Sequence, residues 1–203
     1  MKRMLLVTFV LLLALSVSAQ DNTTGMTNKG IKAGINISNW SGDDADGFDS
    51  KMGLAFGGFF DFAFSPTFGL QAEVLYSQKG MKESFLGEDM TLKTDYIEIP
   101  LLLKYKFATQ GNLKPAIVFG PAVGFLTKAD AEGEDVKDYF KSTDFGLAFG
   151  LSLMVENANG GGITFDGRYT MGMSKILEED PEDPGYEPDI KNTSITFLVG
   201  YCF

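Results

Sequence analysis

The chain has 203 residues, 44% of them hydrophobic, with 27 acidic against 17 basic side chains and a net charge of −10. Such an acidic surface does not suit nucleic acid, whose phosphates require Lys and Arg. Histidine is absent and Cys202 is the lone cysteine, which removes the commonest general base and metal ligand, Ser-His and Cys-His catalysis, and any disulfide.

Lys2 and Arg3 precede an apolar run from Met4 to Val17 and the small pair Ser18-Ala19. That order is a secretory signal peptide, and the run is too short for a spanning helix, which needs about twenty residues. Cleavage after Ala19 is expected. It leaves 184 of the 203 residues, one domain, with a net charge of −12 once Lys2 and Arg3 are gone. Residues 1–19 are thus read as signal peptide, 20–28 as a polar, patternless periplasmic lead, and 29–203 as the folded domain.

The first strand is expected at about 29–39, with Ile31, Ala33, Ile35 and Ile37 on one face and Lys32, Gly34, Asn36 and Ser38 on the other. Side chains of a strand alternate between its two faces, so a period of two marks one greasy and one wet face. The second, at about 51–64, sets Met52, Leu54, Phe56, Phe60, Phe62 and Phe64 against Lys51, Gly53, Ala55, Gly57 and Asp61. The third, 68–79, sets Phe68, Leu70, Ala72, Val74 and Tyr76 against Gln71, Glu73, Ser77 and Lys79. The fourth, 92–107, aligns Ile97, Ile99, Leu101, Leu103, Tyr105 and Phe107 against Tyr96, Glu98, Lys104 and Lys106.

The fifth, 113–127, opposes Ile117, Phe119, Val123 and Phe125 to Ala116, Gly120, Ala122 and Gly124. The sixth, 141–155, carries Phe145 to Val155 against Asp144, Gly146, Ala148, Gly150 and Ser152. The seventh, 162–174, sets Ile163, Phe165, Tyr169, Met171 and Met173 against Thr164, Asp166, Arg168 and Thr170. The eighth, 191–203, places Ile195, Phe197, Val199, Tyr201 and the terminal Phe203 on one face. A strand that closes the chain in this way resembles the last strand of an outer-membrane barrel. By that resemblance, these five residues form the signal read by the barrel-assembly machinery.

Connections after the second, fourth and sixth strands are short, and those after the first, third, fifth and seventh are expected to take roughly eleven to fifteen residues. Alternating short and long connections between an even number of strands, at about ten residues per crossing, describe a transmembrane β-barrel. The long connections carry 19 of the 27 acidic residues, all at one rim. The expected fold is therefore all-β: an eight-stranded antiparallel up-and-down transmembrane barrel.

Alternation alone leaves open a soluble, lipocalin-like barrel that holds a ligand inside. Three features favour lipid outside. The wet face is rich in Gly, Ala and Ser. It also carries charges of both signs that can pair across a narrow lumen, namely Glu73, Lys79, Glu98, Lys104, Lys106, Asp144, Asp166 and Arg168. Aromatic residues (Trp40, Phe64, Phe68, Tyr76, Tyr105, Phe107, Tyr169, Tyr201) recur near strand ends, as interfacial girdles require. Phe59, Leu75, Leu102 and Val118 interrupt the wet pattern.

Gly30-Ile-Lys-Ala-Gly-Ile-Asn-Ile-Ser-Asn39, Gln71-Ala-Glu-Val-Leu-Tyr-Ser-Gln-Lys-Gly80 and Tyr96-Ile-Glu-Ile-Pro-Leu-Leu-Leu-Lys-Tyr105 resemble the PorT-like family of outer-membrane β-barrel domains. Phe119-Gly-Pro-Ala-Val-Gly124, Asp166-Gly-Arg-Tyr169 and the Gly-Tyr-x-Phe end are similar to it too. The resemblance spans about 29–203 and implies an eight-stranded meander in the outer membrane, but no single activity.

The lumen charges admit two readings, a salt-bridge network that plugs the bore or the lining of a narrow ion path. Asp43-Asp-Ala-Asp-Gly-Phe-Asp49 is only a fragment of an EF-hand pattern, so no metal or other cofactor is expected. Pro100 and Pro121 have no N–H to give a ladder. With Phe107 paired to Leu113, Pro100 falls opposite Gly120, and a bulge or missing hydrogen bond is expected there. The expectation is a non-enzymatic outer-membrane protein of a Gram-negative-type cell, structural or interacting in role. Its partners are membrane lipid, the assembly machinery and a protein at the outer loops, with a channel or a soluble ligand-binding barrel as alternatives.

Overall fold

The computed structural model describes residues 25–45, 47–85, 88–158, 161–179 and 185–203. The expected signal peptide and residues 20–24 of the lead lie outside these. Eight long strands, β1 (Gly25–Ser41), β2 (Asp49–Ala63), β3 (Phe68–Phe85), β4 (Glu88–Lys106), β5 (Leu113–Ala131), β7 (Thr143–Glu156), β8 (Gly162–Gly172) and β9 (Lys191–Cys202), form the wall. Between β5 and β7 a two-residue strand, β6 (Glu134–Asp135), folds back onto the end of β5. Each long strand pairs antiparallel with the next, and β9 pairs with β1 from Gly30↔Cys202 to Ser41↔Lys191, so the sheet closes on itself. Closure leaves no open edge to carry unpaired backbone into lipid.

The greasy face points outward. On β2, for example, Met52, Leu54, Phe56 and Phe60 are exposed while Ala55, Phe59 and Asp61 are buried in the bore. The outward apolar run covers Met52 to Phe64 on one flank and Ile195 to Phe203 on another. At about 3.3 Å per residue and a tilt of ~40°, that is a band roughly 20–30 Å tall, the thickness of a membrane core. A soluble barrel with its greasy face inside is excluded by this arrangement.

Three details depart from the sequence expectation. The strand ends differ: β1 begins at Gly25, and β3 and β4 run on to Phe85 and Glu88, pairing through Lys82↔Thr91 and Phe85↔Glu88. The second long connection is therefore mostly hairpin, because paired backbone groups remain satisfied above the lipid as well as within it. Those after β1, β5 and β8 span 42–48, 132–142 and 173–190.

Second, the β4–β5 register differs by two residues. Phe107 N–H donates to Pro115 O (3.0 Å) rather than pairing at Leu113, so Pro100 lies opposite Ala122. The ladder is interrupted as expected: pairing stops at Leu103↔Phe119 and resumes at Pro100↔Ala122, passing over Leu101 and Leu102 opposite Pro121 and Gly120. The β3–β4 ladder likewise passes over Val74 and Glu73 opposite Ile99 and Pro100. A separate bulge at Thr127 sits between Asp95↔Lys128 and Tyr96↔Leu126, and the Thr127 hydroxyl donates to Asp95 O at 2.8 Å.

Third, Trp40 does not face lipid. It turns into the bore, 7% exposed, for a reason found at the upper mouth.

Candidate functional site

The bore between the short turns and the middle of the barrel is filled by one connected set of charged and amide side chains from β1, β2, β3, β4 and β8. Glu73 is its hub. Arg168 clasps it with two guanidinium nitrogens (Nη1 to Oε2 2.7 Å, Nη2 to Oε1 2.9 Å), and the Lys32 amine donates to Oε1 at 2.8 Å. Lys32 also reaches Asp166 at 2.8 Å and stacks over the Phe59 ring at 4.5 Å. Gln71 hands a hydrogen bond to Glu73 and accepts one from Lys104 (2.8 Å), which is paired with Asp61 at 3.0 Å. All of these side chains are buried, and a buried charge is tolerable only when paired and hydrogen-bonded.

Above this set lies a neutral layer. Thr196 donates to Asn36 Oδ1 at 2.6 Å, and the Asn36 amide bonds the Ser77 hydroxyl and Gln78 O (3.3 Å). Leu75, Ala55 and Leu198 pack together here, and Leu102, Val118 and Ala148 form a second apolar cluster in the bore. A second charged group follows: Lys79 pairs with Glu98 (2.6 Å) and reaches Asp144 (3.6 Å). Asn192 donates to Asp144 at 3.0 Å and to the Tyr96 hydroxyl at 3.2 Å. Lys79, Glu98, Asp144, Thr170 and Asn192 line one narrow cleft of the bore.

Seven of the eight charges read from sequence thus fall into two groups. Glu73, Lys104, Asp166 and Arg168 belong to the lower one, and Lys79, Glu98 and Asp144 to the upper. Lys106 stands half-buried at the short-turn mouth, within electrostatic range of Asp61 and Lys104 but outside both groups. Lys32 and Asp61 are the charges that sequence reasoning left out. Both occupy inward positions in the alternation, so parity alone identifies them. The closing-strand residues Ile195, Phe197, Val199, Tyr201 and Phe203 all present to the outside. At the short-turn rim, Phe68, Tyr105 and Phe107 stack edge-on at 5.1 Å, as a girdle does.

At the opposite mouth the inner face changes character. Trp40, Met81, Leu92, Tyr96, Leu126, Ala129, Phe140, Ile176 and Ile190 form a single buried apolar cluster, with Phe48 and Leu177 against it. Trp40 is its centre, edge-on to Phe48 at 5.1 Å and tilted against Phe140 at 6.1 Å. The connections are fastened over it. Phe140 bridges Leu177, Lys141 N–H donates to Ile176 O (2.8 Å), and Ile176 N–H donates to Ile190 O (2.9 Å). Lys141 pairs with Glu187, and Asp189 N–H donates to Asp44 at 2.8 Å. The bore is therefore covered on this side by a second, conventional hydrophobic core.

Of the acidic rim residues, Asp43, Asp44, Glu132, Glu134, Asp138, Glu178 and Glu179 are exposed at this end; Asp46, Asp180, Glu182 and Asp183 lie outside the described residues. A hydrogen bond from Lys191 holds the Asp189 carboxyl below its ordinary pKa, and Lys128 does the same for Asp130.

No curated protein matches the chain. Among solved structures it is similar to Neisserial surface protein A (14% identity, 85% of this chain and 95% of that one, TM-score 0.55). OprG of Pseudomonas aeruginosa is similar at 16% identity, 88% and 97% coverage and TM-score 0.54. A major outer membrane protein of Thermus thermophilus matches at 14% identity, 86% and 99% coverage and TM-score 0.50. At these identities the likeness bears on the fold alone. The model of the outer membrane protein beta-barrel domain matches residues 18–178. With its closed wall and lipid-facing band, the chain belongs to the outer membrane protein beta-barrel domain family and resides in the outer membrane.

Proposed function

We propose that this barrel is a non-catalytic structural or interaction module that carries its long connections outside the cell and its short turns in the periplasm. The carrying observation is the filled bore. Glu73, held by Arg168 and Lys32, blocks its lower half, and the apolar cluster around Trp40 covers its upper mouth. A path for ions would need to break buried pairs and part a hydrophobic core. That weighs against the narrow channel.

The motif resemblance to the PorT-like family agrees with a barrel whose work is done by what it presents. The exposed acids at the long-connection end favour a partner with a cationic surface. Cleavage after Ala19 would release the barrel for export. The apolar face of β9, ending at Phe203, would then be met by the assembly machinery before the strand enters lipid.

Conductance across a planar bilayer tests this reading. The purified barrel is expected to give a silent trace. Discrete current steps that change with Lys79→Gln or Glu98→Gln would establish the channel in its place.

A further inference from the structure

The 173–190 connection closes over the upper mouth through two arms, 173–179 and 185–190. Ile176 of the first and Ile190 of the second are buried with Trp40 in the cap, and Ile176 N–H donates to Ile190 O at 2.9 Å. The rim fastenings of this strap are half-exposed: Lys141 and Lys175 pair with Glu187, and Asp189 contacts Lys191 and Asp44. Ion pairs so open to water hold a segment only weakly.

Below the rim, one buried carboxylate holds both arms. Asp144 of β7 accepts the Ser174 hydroxyl on Oδ1 (3.3 Å), at the start of the first arm. Its Oδ2 accepts the Asn192 amide (3.0 Å), two residues beyond Ile190. The Ser174 oxygen in turn accepts Phe145 N–H at 2.8 Å, and the same Asn192 amide donates to the hydroxyl of Tyr96, a member of the cap. Asp144 is thus the point where the charged bore grips the apolar lid.

Facing Asp144 are Lys79 from β3 at 3.6 Å, Glu98 and Tyr96 from β4, Thr170 from β8 and Asn192 from β9. To this cleft β5 contributes Ala122 and Gly124, which carry no charge, and Arg168 below is within electrostatic range of Glu98. Lys79 lies closer to Glu98, at 2.6 Å, so two carboxylates share one ammonium. Neutralising Asp144 leaves Lys79 paired with Glu98, whereas neutralising Glu73 would strand both Lys32 and Arg168. A proton on Asp144 therefore strands no buried cation. It weakens the clasp, since hydrogen bonds to a carboxylate are about twice as strong as those to a neutral acceptor.

We propose that the 173–190 strap is an acid-released lid and that Asp144 is its switch. With the carboxylate charged, Ser174 and Asn192 are held and the cap is shut. As pH falls and Asp144 takes up a proton, the open form, in which the carboxyl needs no fixed donors, gains population. Release uncovers the cleft of Lys79, Glu98, Asp144, Thr170 and Asn192, while the Glu73 group still closes the lower bore. Opening of the lid is therefore separate from conductance, and a current trace of either kind leaves it standing.

Trp40 is the only tryptophan, so its emission reads the cap directly. In the lipid-reconstituted barrel, lowering the pH from neutral to about 4, near the ordinary aspartate value, should shift Trp40 emission to the red. Quenching by acrylamide should rise severalfold, and both changes should reverse on neutralisation. Asp144→Asn should already be open at neutral pH and respond little to acid. Glu187→Gln with Asp189→Asn should keep the acid response, because the rim carboxyls are not the switch. Ser174→Ala loosens one arm and leaves the bore charges in place, so it should raise quenching at neutral pH, by less than Asp144→Asn does. A heat-dependent gel shift verifies folding of each variant, and if Asp144→Asn does not fold, Ser174→Ala and the rim variant decide. A parent barrel without the acid response would overturn the proposal, as would a folded Asp144→Asn that responds like the parent. So would a Ser174→Ala barrel as closed as the parent, or loss of the acid response in the rim variant.

Discussion

Within lipid the strands are greasy outside and charged inside, whereas above it the same strands are polar outside and greasy inside. On β1 the inward positions run Lys32, Asn36, Ser38 and then Trp40; on β3 they run Glu73, Ser77, Lys79 and then Met81. On β4 the inward Tyr96 and Leu92 join the apolar cap, and just before β9 Ile190 joins it next to the polar Asn192. The solvent outside the wall changes from hydrocarbon to water at this height, and the inner face inverts with it. The lesson is that one ladder supports two cores of opposite polarity. Backbone pairing is indifferent to which side is wet, and only the side chains must match what surrounds them.

The contrast can be broken at either core. Glu73→Gln should have the largest effect, because it leaves Lys32 and Arg168 buried without their shared counter-charge. A loss of about 3–5 kcal/mol is expected, read as a lower urea midpoint in the gel shift of the lipid-reconstituted barrel. A loss below ~1 kcal/mol would mean that water reaches the lower bore and screens it. Phe140→Ala should cost a comparable ~3–5 kcal/mol, but only in the cap. Protease should then cut within 173–190 and Trp40 fluorescence should shift to the red, while the barrel's own urea midpoint holds.

Leu151, 67% exposed at mid-band on β7, sharpens the lipid side of the contrast. Leu151→Arg should cost ~2–4 kcal/mol, whereas Thr193→Arg, outward on β9 above the band, should be nearly neutral by the same urea assay. Glu187→Gln removes the shared partner of Lys141 and Lys175 at the half-exposed cap. The cost should stay below ~1 kcal/mol and disappear in high salt. The smallest effect belongs to Asp189. Because Lys191 depresses its pKa, their contact persists above the ordinary aspartate value and is lost only as pH falls through the lowered one. An NMR titration should place its midpoint below ~3.9, returning toward that value in Lys191→Gln.

Period-two alternation was enough to assign strand faces, the eight-strand count and seven of the lumen charges, because inward and outward are matters of parity. Register was less legible. The turn at 107–112 closes on Pro115 and not on Leu113, a choice of local hydrogen bonds that a two-residue slip leaves invisible to face assignment. The cap was not legible at all. Trp40 reads as a girdle aromatic when the water-lipid boundary is unknown, and Ile176 and Ile190 lie in a connection that shows no period. Their burial depends on 42–48, 132–142 and 173–190 meeting over the bore, contacts set by tertiary closure and not by neighbours in sequence.

Spin labels placed one at a time on outward positions of β4, in a Cys202→Ser background, test the inversion most directly. With the barrel in lipid vesicles, Leu101, Ile99 and Ile97 should be accessible to oxygen and shielded from a water-soluble nickel complex, and Asp95 and Lys93 should show the reverse. Oxygen-dominated access continuing through Asp95 and Lys93 would contradict the account, since the apolar cap would then lie within the membrane and not above it.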